Sequence, residues 1–367
     1  MKVAVITRHA VANYGSLLQT MATQQVLQNM GHQCQIIDYV RRDESYRKWE
    51  LTLLRRKPGW YNNPVKRVLY LALRQPESIL SGRKFEKAQR AHLCLTTRYS
   101  DAEQLQKNPP KADVYLTGSD QVWGPVGDGS YDSSYCLSFT ADEEKRISYA
   151  ASFGHTQMTP QLQTYYRKWL SRYQHLAVRE DSAVALLQEM GLQAEQVLDP
   201  TLLLERQHWE SYLTRPRKKP YVLVYQLHND KKLSRYAKRV AKAKGLPLVR
   251  VSATLHQCFR GGKFRWAPEI GEFLSLIRNA QCMITDSFHG TAFAILFNTP
   301  FVEVLPNNNT GTRNQSILTL TGLTGRILRE EGDLALAMEE VDFSHANQVI
   351  AEQRERSLQI LRKMLEA

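Results

Sequence analysis

The sequence predicts an α/β protein built from two doubly wound, Rossmann-like domains that face each other across a cleft. Three observations lead there. Short β-rich apolar runs alternate with helical stretches, the pattern of parallel strands joined by crossovers. Polar turns, several with glycine, follow the strands, at the carboxyl ends where open α/β sheets bind ligands. The chain has 367 residues, 43% of them apolar, enough for two cores of ordinary size.

The elements follow in order. Residues 2–7 form a first strand, and the turn Arg8 to Ser16 leads into a helix over about 17–30 that Gly31 ends. Residues 35–39 give the second strand. The intervening turn is not a G-x-G-x-x-G fingerprint, so no dinucleotide site is read from it. From Val40 to Asn108 the pattern is helical, basic and interrupted by Pro58, Pro64 and Pro76, which reads as an insertion over about 41–110. Strands resume at 113–117, 146–151, 175–178 and 196–198, with helices over about 160–173 and 183–190. These elements make a first domain at 1–205. Residues 202–220 read as a linker ending in the run Arg215 to Pro220. A second domain at 206–345 holds strands at 221–227, 248–251, 282–285 and 301–305. Helices fall at 231–244, 268–279 and from the 286–287 turn to about Asn298. A polar loop, Asn307 to Arg313, follows. One terminal helix closes the chain from about Asn347. Its segment 346–367 is expected to pack back on the first domain.

Composition excludes several classes. No apolar run approaches the ~18–20 residues of a membrane span, and the first residues lack a secretory layout, so a cytoplasmic protein is expected. Cys34, Cys94, Cys136, Cys258 and Cys282 are odd in number and never spaced C-x-x-C, which argues against disulfides, iron–sulfur clusters and structural zinc; no metal site is expected. The net charge of +13 is uneven: between Arg41 and Arg90 there are fourteen Lys or Arg against five Asp or Glu. Trp49, Trp60, Tyr61 and Tyr70 interleave with these charges. Such a surface suits an anionic bilayer, a phosphorylated substrate or nucleic acid, or it is a solvated helical region. No nucleic-acid-binding motif is present, so nucleic acid is not expected as a partner.

The stretch Gln281 to Ala294 carries the densest chemistry. Asp286 and Ser287 are good N-cap types, which places His289 and Gly290 in the first helical turn. There the dipole and the amides favour an anion, glycine admits close approach of a ligand to the backbone, and a histidine has its neutral form favoured. The alternative is an ordinary crossover with a surface histidine.

Six stretches together resemble the polysaccharide pyruvyl transferase family: Asn13-Tyr14-Gly15-Ser16-Leu17-Leu18-Gln19, Gly118-Ser119-Asp120-Gln121-Val122-Trp123, Tyr149 to Gly154, Val178-Arg179-Glu180, Val197 to Thr201, and Thr285 to Gly290. They stand in the family's order over roughly residues 1–330. The resemblance implies a GT-B-like fold. It also implies transfer of a pyruvyl group from phosphoenolpyruvate to a sugar, or to its lipid-linked precursor, in a cell-surface glycan. The product would be a ketal, with phosphate released and no cofactor needed. It carries the donor-site histidine onto His289 and an anion-binding arginine onto Arg179, whose alternative is an ion pair with Glu180 or Asp181. Ser287, Phe288, Gly290 and Arg313 are then donor-side residues, with Arg313 equally a surface residue. By analogy with the fold, Asn13, Tyr14, Gly15, Ser119, Asp120 and Trp123 are acceptor-side residues. Asp120 is equally a helix cap, and Trp123 a sugar-stacking ring or a core residue. Two further readings stay open: a GT-B glycosyltransferase using a nucleotide sugar, and a non-catalytic anion-binding scaffold of glycan assembly. The sequence leaves the acceptor sugar and the oligomeric state undetermined.

Overall fold

The computed structural model describes residues 1–214, 219–306 and 311–366. The chain divides into two compact units, Met1–Pro200 with Ser357–Ala367, and Thr201–Arg356.

Unit 1 is built on six parallel strands: β1 (Lys2–Ile6), β2 (Gln33–Ile36), β3 (Val114–Thr117), β4 (Arg146–Ala151), β5 (His175–Val178) and β6 (Glu195–Gln196). Their order in the sheet is β2-β1-β3-β4-β5-β6. The central strands are buried on both faces, which is why they read as continuous apolar runs rather than as alternations. Crossovers are made by α1 (Tyr14–Asn29) and, further along, α6 (Pro160–Leu170) and α7 (Asp181–Glu189). The sixth strand is only two residues long, and just past it the Val197 amide still donates to the Val178 carbonyl of β5 at 2.9 Å.

The basic segment between β2 and β3 is helical: α2 (Trp49–Arg55), α3 (Pro58–Tyr61), α4 (Pro64–His92) and α5 (Ala102–Lys107). Pro58 and Pro64 stand in first helical turns, where a missing N–H costs nothing. Pro76, expected to interrupt the helix, lies inside α4 without ending it. The base of α4 is fixed to the unit. Phe85 packs edge-on against Tyr14 at 5.0 Å, and Gly82 sits beneath Tyr46, whose Cβ would be 2.3 Å from a Cβ at that position.

Unit 2 holds five parallel strands, β7 (Val222–Tyr225), β8 (Leu248–Ser252), β9 (Lys263–Trp266), β10 (Cys282–Thr285) and β11 (Phe301–Glu303), in the order β11-β10-β7-β8-β9. The edge strand β9 is an addition to the sequence reading; Lys-Phe-Arg-Trp alternates as a half-exposed edge strand does. Residues 202–213 are not a linker. They form α8 (Pro200–Leu203) and α9 (Arg206–Glu210), and Trp209 is fully buried, its indole N–H donating to the Thr201 carbonyl at 3.0 Å. Next come α10 (Lys231–Ala243), α11 (Ile270–Arg278) and α12 (Phe288–Phe297). Arg313 stands in the first turn of α13 (Thr312–Leu320), a correction to its expected loop position. The rest of that loop, 307–310, and the basic run 215–218 lie outside the described residues. After α14 (Ala335–Met338), the terminal helix α15 (Ser344–Glu366) contributes its residues from Ser357 onward to unit 1, where the Ser357 hydroxyl accepts the Leu198 amide at 3.1 Å.

Candidate functional site

In unit 1 the sequence motifs converge on one polar cluster at the carboxyl ends of β3, β4 and β5. Arg179, just past β5, is 5% exposed. Its guanidinium lies 2.9 Å from Asp199, 3.6 Å from Glu180 and 3.9 Å from Asp120. Each carboxyl also meets a hydroxyl: Ser119 donates to Asp199 at 2.9 Å, Ser152 to Glu180 at 2.6 Å and Ser16 to Asp120 at 2.5 Å. Burial opposes charge on Arg179, but Asp199, Glu180 and Asp120 outweigh it and raise its pKa further. Asp120 adopts φ of +79° and Ala150, at an irregularity of β4, φ of +54°. Left-handed backbone at non-glycine residues costs ~1–3 kcal/mol each and clusters at functional sites.

This arrangement revises the expected role of Arg179. One guanidinium faces three carboxyl groups, so the surroundings suit an ion-pair anchor rather than a receptor for a further anion. Asp199 and Glu180, not Asp181, are its neighbours. Asp120 does not cap a helix; its side chain takes the Ser16 hydroxyl and the Gln121 amide. Asn13 caps α1 by accepting the Gly15 amide at 2.7 Å, and Tyr14 is buried against Phe85. Trp123 is 1% exposed, packed on Phe153 and Tyr173, with its N–H on the Tyr135 carbonyl. It is a core residue, and no face of its ring is open to stack on a sugar.

In unit 2 the turn after β10 is tied down by its own side chains. Ser287 caps α12, its hydroxyl accepting the Gly290 amide at 3.2 Å, and Thr285 Oγ1 accepts the Ser287 amide at 3.0 Å. Phe288 and His289 follow in the first turn, ring against ring at 5.1 Å, with His289 7% exposed. Gly290 serves internal packing: a Cβ there would lie 2.7 Å from Thr285 Oγ1, 2.9 Å from Met283 Cε and 3.0 Å from Tyr225 Cδ1. The close approach its missing side chain permits is thus that of the sheet. Asp286 is not the cap. Its two oxygens accept the backbone amides of Leu227 and His228 at 2.7 and 2.9 Å, and the His228 ring lies 3.3 Å away, which clamps this turn to the one after β7.

Two arginines that sequence reasoning passed over stand next to this clamp. Arg250, in β8, is wholly buried. It donates to neutral oxygens only: Gln226 Oε1 at 3.1 Å, Ser234 Oγ at 3.2 Å, the Gly261 carbonyl at 3.2 Å and Gln257 Oε1 at 3.4 Å. Arg260, in the 3₁₀ turn Leu255–Arg260, donates to Asn229 Oδ1 at 2.6 Å. Burial lowers both pKa values, that of Arg250 to about 10 with the charge of Arg260 adding to the effect, while Asp286 partly restores each. Among the described residues neither arginine has a carboxylate ion pair. Strand β8 and the turn after it therefore hold two guanidinium groups near one carboxylate that already accepts two amides. Leu227, Leu255 and Phe259 are exposed in the same turns.

Behind the histidine turn, Glu303 of β11 is fully buried between Thr291, whose hydroxyl it meets in a short hydrogen bond, and Asn314, which donates at 2.6 Å. Burial pushes its carboxyl up to about 8, against the pull of those two donors and with Asp286 adding to the rise. The Thr291 hydroxyl also lies 3.1 Å from the Ser287 carbonyl, which links the carboxyl to the histidine turn. Among the described residues there is no group of three or more metal-ligating side chains.

With this geometry in place, a family model described as polysaccharide pyruvyl transferase matches residues 13–309. The chain belongs to this family. The solved structures it resembles share the fold. A UDP-GlcNAc 2-epimerase from Neisseria meningitidis bound to UDP-GlcNAc is 12% identical, with a TM-score of 0.51 and coverage of 100% of this chain and 99% of the other. The S. aureus MnaA–UDP co-structure is 11% identical, with a TM-score of 0.53 and coverage of 100% and 97%. Both are GT-B proteins, and two parallel sheets in an α/β arrangement place this chain in the same fold class. No curated protein matches it in sequence.

Within this pyruvyl transferase family member, four of the six motif stretches converge on the unit 1 cluster through Ser16, Ser119 with Asp120, Ser152 and Arg179 with Glu180; Asp199 brings in a fifth. The sixth builds the histidine turn of unit 2. Arg250, Arg260 and Glu303 gave no motif signal, because each sits in or beside an ordinary strand pattern.

Three outcomes follow. Arg179→Ala leaves three carboxyl groups without their cation and is expected to cost ~3–5 kcal/mol of stability in denaturant unfolding. Gly290→Ala crowds the sheet and is expected to cost ~1–3 kcal/mol. For Glu303, the unfolded carboxyl ionises near 4.5 and the folded one near 8. Its contribution to stability is therefore full below about 4.5 and lost as pH rises toward about 8. Glu303→Gln should flatten that slope of unfolding free energy against pH, and a slope equal to the wild type's would refute the assignment.

Proposed function

We propose that this protein transfers the pyruvyl group of phosphoenolpyruvate to a sugar of a cell-surface polysaccharide or its lipid-linked precursor, forming a ketal across two hydroxyls of one sugar and releasing phosphate. The observation that carries the reading, within a pyruvyl transferase family, is the uncompensated positive charge of Arg250 and Arg260 beside the histidine turn. A donor bearing both a phosphate and a carboxylate needs such a place, and guanidinium forks suit both groups.

In this reading His289 protonates the methylene carbon of the donor's enol. The positive charge then falls on C2, where a sugar hydroxyl attacks. The C2–O bond to phosphate breaks, a second hydroxyl closes the ketal, and the two hydroxyl protons leave on His289 and the departing phosphate. Turn residues Ser287, Phe288 and Gly290 shape the histidine's position, and Arg313 remains a further donor-side candidate. The acceptor is assigned to unit 1, where Asp120 has the carboxylate chemistry to take a hydroxyl proton. Arg179 acts there as the residue that positions Asp120 and Asp199. Asn13, Tyr14 and Gly15 hold the adjacent helix start. The chain's own residues suffice for this chemistry, and no cofactor is invoked.

A nucleotide-sugar transfer is the second reading, favoured by the sugar-nucleotide ligands bound in the similar structures, since a diphosphate would suit the same two arginines. Thermal-shift titration separates the two: phosphoenolpyruvate should raise the melting temperature, while UDP- and GDP-sugars should not. His289→Gln should abolish acceptor-dependent phosphate release yet keep the phosphoenolpyruvate-induced shift. Arg260→Ala should weaken that donor roughly tenfold to a hundredfold, the worth of one charge-assisted hydrogen bond at ~1.5–3 kcal/mol. Wild-type turnover in His289→Gln would remove the histidine from the chemistry.

A further inference from the structure

The exposed face of α3 and α4 combines two features that a solvated helix avoids. Trp60, Val65, Val68, Leu69, Leu73 and Leu80 are each between 45% and 75% exposed. On α4 the aliphatic members fall at a spacing of three, four and seven residues, which is one stripe of a helix with 3.6 residues per turn. The same face continues into Arg83, Lys87 and Arg90, all exposed, and is flanked by exposed Arg55, Arg56, Lys57, Lys66 and Lys84.

The acids of this region do not share the surface. Between Arg41 and Arg90 none of the five carboxylate residues is exposed: Glu50 is buried and Asp43, Glu44, Glu77 and Glu86 are partly buried. Each is also held in an ion pair, Asp43 by Arg41, Glu44 by Arg8, Glu50 and Glu77 by Arg74, and Glu86 by Arg98 and Arg90. The charged groups that face outward are therefore cations alone, with aromatic rings beside them: Lys66 lies 5.9 Å from the centre of Trp60 and Arg67 5.6 Å from that of Tyr61.

We infer that this face docks on an anionic lipid bilayer, α4 lying in the headgroup plane with its stripe in the acyl boundary. The charge decides between occupants. A second copy of the chain would cover the aliphatic stripe but press two sets of like charges together. Anionic lipid satisfies both features at once, which is the design of interfacial helices. The helix does not cross: no helix among the described residues is long and apolar enough. The inference rests on the surface alone and stands whatever the reaction proves to be.

The test is co-flotation of the full chain with vesicles of phosphatidylcholine, and of phosphatidylcholine mixed with phosphatidylglycerol. Binding is expected on the mixed vesicles only, weakening as salt rises. Leu69→Ser and Leu73→Ser should each weaken it on the order of tenfold. Lys66→Gln and Lys84→Gln should each weaken it roughly fivefold. All four side chains are exposed, so melting temperatures should stay at the wild-type value; should a serine variant misfold, the glutamine pair carries the test. Equal binding to neutral vesicles, or none to either, overturns the proposal. So does a concentration-dependent dimer that the serine variants abolish while mixed vesicles go unbound.

Discussion

Each unit's polar cluster depends on how charge is compensated at the carboxyl ends of its own parallel sheet. In unit 1 one buried guanidinium, Arg179, is shared by Asp199, Glu180 and Asp120, and each carboxyl has a serine hydroxyl as a second partner. A buried charge is tolerated only when paired and hydrogen-bonded, so these residues hold each other in place and the cluster keeps an excess of acid. In unit 2 the balance is reversed. Arg250 is buried among neutral oxygens and Arg260 bonds an asparagine, with Asp286 as the nearby acid. A sheet end with spare acid suits a hydroxyl that must lose a proton, and one with spare guanidinium suits an anion. The two clusters thus differ in the sign of the charge left over.

Much of this architecture was legible in the sequence. The six strands of unit 1 announced themselves because a parallel sheet covered on both faces is written as short apolar runs between turns. The motif residues Ser119, Asp120, Arg179 and His289 were legible as candidates, since polar residues at strand ends have few structural reasons to be there. Their partners were harder. Arg250 and Glu303 look like the polar positions of half-exposed strands, yet both are wholly buried and satisfied by groups far away in sequence. Asp286 and Ser287 are equally good caps by type, and only the geometry gives the cap to Ser287 and the neighbouring loop to Asp286. Of the two readings open for Trp123, a sugar platform or a core residue, burial decides for the core, and burial of an aromatic ring is not written in its immediate neighbours. Residues 202–213 looked like a linker because their helices are short and their apolar residues pack against distant elements.

Pro76 illustrates a different limit. A proline removes one hydrogen bond and clashes with the preceding turn, which ordinarily ends or kinks a helix. In α4 the helix continues because its far half is bound independently of that turn: Phe85 lies against Tyr14, Gly82 fits under Tyr46, and Gln89 donates to the His9 carbonyl at 2.9 Å. Tertiary anchors beyond the break outweigh a local defect.

Those same anchors connect the insertion to the site. Tyr14 follows Asn13, the cap of α1, and two residues further Ser16 donates to Asp120. His9 lies in the turn between β1 and α1, its ring 3.1 Å from Asp38, which Arg98 also holds at 2.9 Å. Arg98 in turn reaches Glu86 of α4 at 2.8 Å. α4 is therefore joined by packed rings and a chain of ion pairs to the turn whose Ser16 holds Asp120.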